Sequence, residues 1–359
     1  MAGSSQLSVG RAVDWGFAGT VGARLARPGP PATDYTREQV IDALSECARA
    51  AEGPVRDVTG LSSDSPVPDA HIVDREQWIR AASASMRVMT GGVDAAGPTM
   101  AGPTIANVIT GRIAGAQTGA VLAFVSSGIL GQYDPFGDGP DGEGRLLLVY
   151  PNVIAVERQL RLDPRDFRMW VCLHEVTHRV QFTANPWLTQ HMSGALAALT
   201  DERGDDVAKV VGRVADFVRD RRSGSDDPAA TGVLGLLRAV QSDPQREALD
   251  QLLVLGTLLE GHADYVMDAV GPSVVPSVQL IRSRFDGRRH RKQPPLQRVL
   301  RALLGVDAKL AQYTRGRAFV DHVVDRVGMT RFNAVWSGPE TLPKPDEIEN
   351  PQRWIDRVL

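Results

Sequence analysis

Apolar residues return every three or four positions through most of the chain, a spacing that predicts a mainly helical protein. Segments 75–90, 104–131 and 192–222 carry Ala, Val, Leu and Ile at helical spacing among charged residues. Gly/Pro-rich breaks such as "TGGVDAAGPTMAGPT" separate them. Upstream, "RPGPPATDYTREQVIDALSECARAAEGPV" reads as a Pro-rich turn, a cap at Thr36 and an amphipathic helix. A long apolar helix is expected over 248–270, and another beginning at Pro164. One stretch departs from this period. "GRLLLVYPNVIAV", residues 144–156, is rich in Leu, Val and Ile and follows the Gly- and acid-rich "DPFGDGPDGEG", so it reads as a strand after an exposed connection. The expected fold class is therefore mainly α, an α+β chain with a minimal sheet. Residues 1–9 read as a disordered leader, 10–145 as an N-terminal helical region, and 146–359 as a second region packed with it as one unit.

Composition narrows the functional classes. With 359 residues, 43% of them hydrophobic, the chain can bury a sizeable core. A formal charge of −3 gives no global field favouring nucleic acid or an anionic membrane. Cys47 and Cys172 stand far apart with no CxxC partner, which points away from a disulfide framework and from a thiolate metal site. Arg11, Asp14 and Arg24 interrupt the N-terminal apolar residues, and no later run is long enough to span a membrane, so a cytoplasmic location is expected. The loops 219–232 and 282–295 are expected to be mobile. The second holds six Lys/Arg in 14 residues, but one aromatic and an acidic total favour a solvated loop over a nucleic-acid site.

The helix starting at Pro164 raises a chemical question. Asp163 supplies an N-cap and Asp166 a favourable acid in the first turn. From there Phe167, Val171, His174, His178 and Phe182 share one stripe, and Met169, Leu173, Val176 and Val180 a second. Two histidines four residues apart stack one turn apart, so their imidazole nitrogens can converge on one ion. Glu175, about 100° around the helix from His174, borders the same cleft and is placed to accept a proton from a metal-activated water. This is the HExxH arrangement, His174-Glu175-Val176-Thr177-His178. The bland alternative, hydrogen-bonded core histidines with a rim glutamate, leaves the cost of burying such groups uncompensated.

A catalytic zinc takes three protein ligands, so one more is expected elsewhere. The helix 248–270 carries one strongly polar cluster, Glu260, His262 and Asp264. Glu260 and Asp264 face together with Gly256 and Met267, and Gly256 is positioned to allow close helix approach. His262 lies roughly 200° from Glu260, so only one of the two can serve one ion. Glu260 is preferred, because Asp264 one turn on can then orient a ligating histidine. That glutamate–aspartate pair resembles the ExxxD element of gluzincins, and Gln181 and Ala184 stand where a metzincin extension needs glycine and histidine.

The blocks "VDWGFAGTVGARLARPGPP", "EGPVRDVTGL", "GRLLLVYPNVIAVERQLRLDPRDFRMWVCLHEVTHRVQFTANPWL", "LLEGHADYVMD" and "LLGVDAKLAQYTRGRAFVDHVVDRVGMTRFNAVWSGPETLP" resemble a family of zinc-dependent metalloproteases common in actinobacteria, one branch of which is associated with biosynthesis of the deazaflavin coenzyme. The resemblance implies a zincin-like, mainly helical fold with a gluzincin-type active-site helix.

The expectation is one Zn²⁺ held by His174, His178 and Glu260, with Glu175 as general base, Asp264 behind a histidine, and a peptide or amide as substrate. The alternative is a non-catalytic zinc-stabilised scaffold or binding protein, for example one acting in the biosynthesis of that coenzyme. Tyr313 and His262, and after them Tyr265 and Arg179, are the candidates to stabilise a developing oxyanion.

Overall fold

The computed structural model describes residues 13–63, 67–90, 105–137, 144–200, 243–289 and 306–359. Helix α1 spans Trp15–Leu25 and α2 spans Asp34–Thr59. The α2 cap is Thr33, whose hydroxyl accepts from the Thr36 amide at 3.2 Å. Thr36, expected as the cap, is already in the first turn. Helix α3, Arg75–Met89, opens with a capping box between Asp74 and Gln77, and α4 covers Ile105–Ser126. The first matches its expected segment to within one residue, whereas α4 ends five residues before the expected limit of 131, where a strand begins. Of the third expected segment, α7, Trp187–Thr200, is described, and residues 201–222 lie outside the described set, as do the leader 1–9 and the loop 219–232.

A three-stranded sheet has the order β1-β3-β2, with β1 His71–Val73 parallel and β2 Gly131–Asp134 antiparallel to β3 Arg145–Val149. Side chains alternate across β3. Leu146 and Leu148 enter the main core, while Leu147 and Val149 join Trp78, Ile79, Ala82 and Ala123 in a smaller cluster beneath α3 and α4.

The strand expected over 144–156 ends at Val149, and Tyr150–Leu160 forms helix α5. Two features redirect the chain. Pro151 sits in the first helical turn, where its missing N–H costs nothing. Asn152 is buried and donates to the Ser126 carbonyl at 2.6 Å while accepting from Arg75 Nε at 2.7 Å. A tertiary amide contact thus ends a run whose apolar content alone suits either element.

Helix α6, Pro164–Ala184, begins at the Asp163 cap, whose carboxylate accepts from the Asp166 amide at 3.1 Å. Helix α8 is Asp243–Val270, α9 Val278–Arg289, and α10 Val306–Val327. Short C-terminal helices, α11 Met329–Phe332, α12 Pro345–Glu349 and α13 Pro351–Val358, close the chain. The main core lies between α2, α6, α8 and α10, with Phe167, Leu173, Leu258, Phe319 and Trp354 fully buried. Helix α6 meets α2, α8, the sheet, α5, α7 and α9. Even the face bearing Cys172, Glu175 and Arg179 is buried, at 0%, 8% and 4% exposure.

Two expectations about helices change. Gly256 has open space around it, whereas Gly261 makes the close approach: a Cβ there would lie 2.2 Å from the carbonyl carbon of Gly316 on α10. The basic segment 282–295 is not simply a loop, since α9 carries its first eight residues. Arg282 is bound to Asp264 and Asp268, and Arg284 to the Leu160 carbonyl. Residues 290–295 lie outside the described set. Among the described residues no helix is long and apolar enough to cross a membrane.

Candidate metal centre

Packing α6 on α8 brings three donor atoms together. His174 Nε2 lies 3.3 Å from His178 Nε2 and 3.3 Å from Glu260 Oε2, and His178 Nε2 lies 3.8 Å from the same oxygen. Donors held 2.0–2.2 Å from a tetrahedral ion stand about 3.3–3.6 Å apart, so two edges of this triangle fit such a site and the third is slightly long. Glu260 Oε2 is buried and meets the two imidazoles as ion pairs without hydrogen-bond geometry to either, and a cation between the three groups would satisfy all of them. Among the described residues this is the one group of three His, Cys, Asp or Glu donors lying within 4.8 Å of one another. The residues present therefore fit a metal ion.

The electrostatics reflect the same crowding. Burial alone would push His174 down, but the approach of Glu260 and the charges of Glu175, Glu260 and Asp264 outweigh it and hold the imidazole at about 9. Burial pushes Glu260 up, and contacts with His174 and His178 overcome it, holding the carboxyl well below its ordinary value.

Glu175 is buried beside β2. A Cβ on Gly131 would come within 2.6 Å of Glu175 Cγ, so only glycine leaves room for that side chain. Gly131 opens β2, an edge strand of the sheet, and the glutamate packs over that strand where the missing side chain leaves space.

The groups behind the three donors differ from the expected ones. Asp264 makes its side-chain contact with Arg282 Nη1 at 2.9 Å and reaches His174 only as a nearby charge. The atom facing His174 Nδ1 is the thioether Sδ of Met267, at 3.2 Å. Behind His178, Nδ1 meets Gln181 Oε1 at 2.9 Å, and Gln181 Nε2 meets the Leu259 carbonyl at 3.0 Å and His262 Nδ1 at 2.9 Å.

His262 points into the core, fully buried, stacked on Phe332 with ring centroids 5.5 Å apart and edge-on to Trp336. Burial, aided by the charge on His178, lowers it to about 3 and keeps it neutral. The structure brings Glu260, not His262, to the two motif histidines. Arg179 is committed elsewhere, donating to Glu52 Oε2 at 2.7 Å and to the Pro68 carbonyl at 3.0 Å. Tyr265 stacks under the Arg317 guanidinium, 5.3 Å from its ring centroid. Tyr313 lies on α10, but its side chain falls outside the described residues.

Gln181 is the site residue that sequence reasoning misses, because one glutamine three residues beyond a histidine on a helix is unremarkable. Its signal is positional, since i+3 is within reach of the ring.

The model of the zincin-like metallopeptidase family matches residues 13–355. No curated protein is detectably similar to the chain. A crystal structure from Chloroflexus aurantiacus, described as a candidate hydrolase with a novel fold, is similar at 28% identity with a TM-score of 0.65, covering 96% of this chain and 98% of that one. With the family match running through both helices that carry the three donors and through nearly all of the sequence, the chain belongs to the zincin-like metallopeptidase family.

Proposed function

We propose that the protein is a zinc-dependent peptidase or amide hydrolase in which His174, His178 and Glu260 hold one zinc ion and Glu175 moves the protons. The observation that carries this reading is the triangle of donors at 3.3, 3.3 and 3.8 Å, one corner of which is a buried Glu260 oxygen. When bound, zinc polarises a carbonyl and lowers the pKa of water, which allows attack on an amide near neutral pH.

The side chains supply the rest. Glu175 takes a proton at its carboxylate from the attacking water and returns it to the departing amide nitrogen. Three protein ligands leave a fourth position for the reaction, unlike the closed four-ligand shells of structural zinc. The side chains of His174, His178 and Glu260 are 22%, 14% and 21% exposed, so the site borders solvent although Glu260 Oε2 itself is buried. An extended peptide suits the edge of β2, where backbone pairing would lay a carbonyl beside Glu175. Asp264 acts in this scheme through its charge near His174.

The test uses the zinc-loaded protein and a library of quenched fluorescent peptides. Glu175→Gln should retain stoichiometric zinc and lose turnover by about 10²–10⁴-fold on any peptide the wild type cleaves. Equal hydrolysis by both proteins removes Glu175 from the chemistry.

A further inference from the structure

Gln181, His262 and the Leu259 carbonyl form a buried set of polar groups that takes no part in the chemistry above, yet every member but one nitrogen is paired. The pairing fixes the protons. Leu259 O can only accept, so the Gln181 nitrogen, 3.0 Å away, must be the donor and the amide has one orientation. Its oxygen then faces His178 Nδ1 at 2.9 Å, which makes Nδ1 the protonated nitrogen and leaves Nε2 with its lone pair toward Glu260 and His174. The second amide proton points at His262 Nδ1, 2.9 Å away, which must accept and so places the His262 proton on Nε2. That Nε2 is the unpaired atom, buried with no partner.

From this chain of contacts we infer that Gln181 and His262 are positioning residues: a carbonyl of α8, read through the Gln181 amide, locks His178 in the tautomer whose Nε2 can ligate a metal. The inference rests on the metal-site reading of His178. A polar side chain in the core is expensive, and leaving His262 Nε2 unpaired adds to the expense. Phe332 and Trp336 hold the ring against Gln181 from the other side, which accounts for a histidine where a core of this kind would otherwise take an aromatic hydrocarbon. Gln181 is itself fully buried, so no water competes for its amide. The two ligating histidines are thus supported unequally. Met267 Sδ is a weak acceptor for His174, whereas His178 has a fixed amide.

Two measurements decide it. In the metal-free, ¹⁵N-labelled wild type at pH 8, the histidine ¹⁵N shifts should show His178 protonated at Nδ1 and His262 at Nε2; His178 protonated at Nε2, or His262 at Nδ1, overturns the inference without reference to metal. Zinc affinity is then measured by chelator competition on full-length wild type, Gln181→Leu and His262→Phe. Gln181→Leu should weaken zinc about 10- to 100-fold, the usual scale for a lost partner behind a ligating histidine. His262→Phe, which keeps the stacked ring and the Leu259 contact, should weaken it several-fold less. Wild-type affinity in a folded Gln181→Leu protein refutes the positioning role. Should that variant not fold, the tautomers in the wild type decide the matter alone. A wild type that binds no zinc refutes the metal centre itself, a different failure from a wild type and a Gln181→Leu variant that bind it equally.

Discussion

Gly261 is the residue next to the proposed ligand Glu260 and also the point where α8 touches α10, so Gly261→Ala tests how the fold places the metal site. The added Cβ would stand 2.2 Å from the carbonyl carbon, 2.5 Å from the oxygen of Gly316, and 2.6 Å from the Arg317 nitrogen. All three are backbone atoms that no rotamer can move aside. Ordinary contact begins near 3.4 Å, so the helices must part by about 1.2 Å or α8 must bend. Overpacking of this kind costs about 1–3 kcal/mol. Over a chain of 359 residues unfolding as one unit, that lowers the melting temperature by about 1–4 °C. The larger effect falls on zinc. Metal–oxygen distances tolerate about 0.2 Å, so carrying Glu260 away by several times that amount should weaken zinc binding by about 10- to 100-fold. Gly256→Ala is the matched control, because nothing lies within 4 Å of a Cβ at that position. It should leave zinc affinity unchanged and add about 0.5–1 kcal/mol of helix stability. Chelator competition and thermal melts on the two variants make the comparison. Identical zinc affinities would show that the α8–α10 contact does not position Glu260.

Two further outcomes follow from the site. With the metal-free imidazole of His174 held at about 9, it is about 99% protonated at pH 7, so zinc binding should release about one proton there and its affinity should rise about tenfold per pH unit up to pH 9. The stability that this raised value contributes to the metal-free protein is complete below pH 6.5 and lost as pH rises through 9. Calorimetric titration in buffers of different ionisation enthalpy counts the proton, and a release near zero contradicts the assignment. Gly131→Ala places a Cβ 2.6 Å from Glu175 Cγ and 2.9 Å from its Cδ, so it should lower peptide turnover by about 10²-fold while zinc affinity stays at the wild-type value. Unchanged turnover would detach Glu175 from the edge strand.

The paired histidines of α6 are legible in the sequence because cap, stripe and spacing are all local. Asp163 fixes where α6 begins, and a four-residue step puts His174 and His178 on one face wherever that helix packs. The residues behind them depend on what other helices bring. Asp264 and Met267 share a stripe of α8 with Glu260, and the choice between them as the partner of His174 turns on Arg282, which arrives from α9 and draws off the Asp264 carboxylate. The same limit applies to the two glycines of α8. Gly256 and Gly261 are equally plausible close-approach points until Gly316 is known to oppose the second. At β3 the difficulty is chemical, since "LLLV" and "VIAV" are equally apolar, and what ends the strand is the buried side chain of Asn152 reaching back to the Ser126 carbonyl.

Because α6 packs against α2, α8, the sheet, α5, α7 and α9, its freedom to diverge is unlike that of the other helices. Glu175, Thr177, Arg179 and Gln181 are 8%, 0%, 4% and 0% exposed, and the last two answer to α2 and α8 respectively. A substitution at one of these positions requires a matching change on a separate helix, so single steps through sequence space are blocked in several directions at once. Helix α4, whose Ile109, Ile113 and Val121 are more than 40% exposed, carries no such constraint on that face. Distant members of the family are therefore expected to keep the length and phase of the segment 164–184 long after the outer face of α4 has been rewritten.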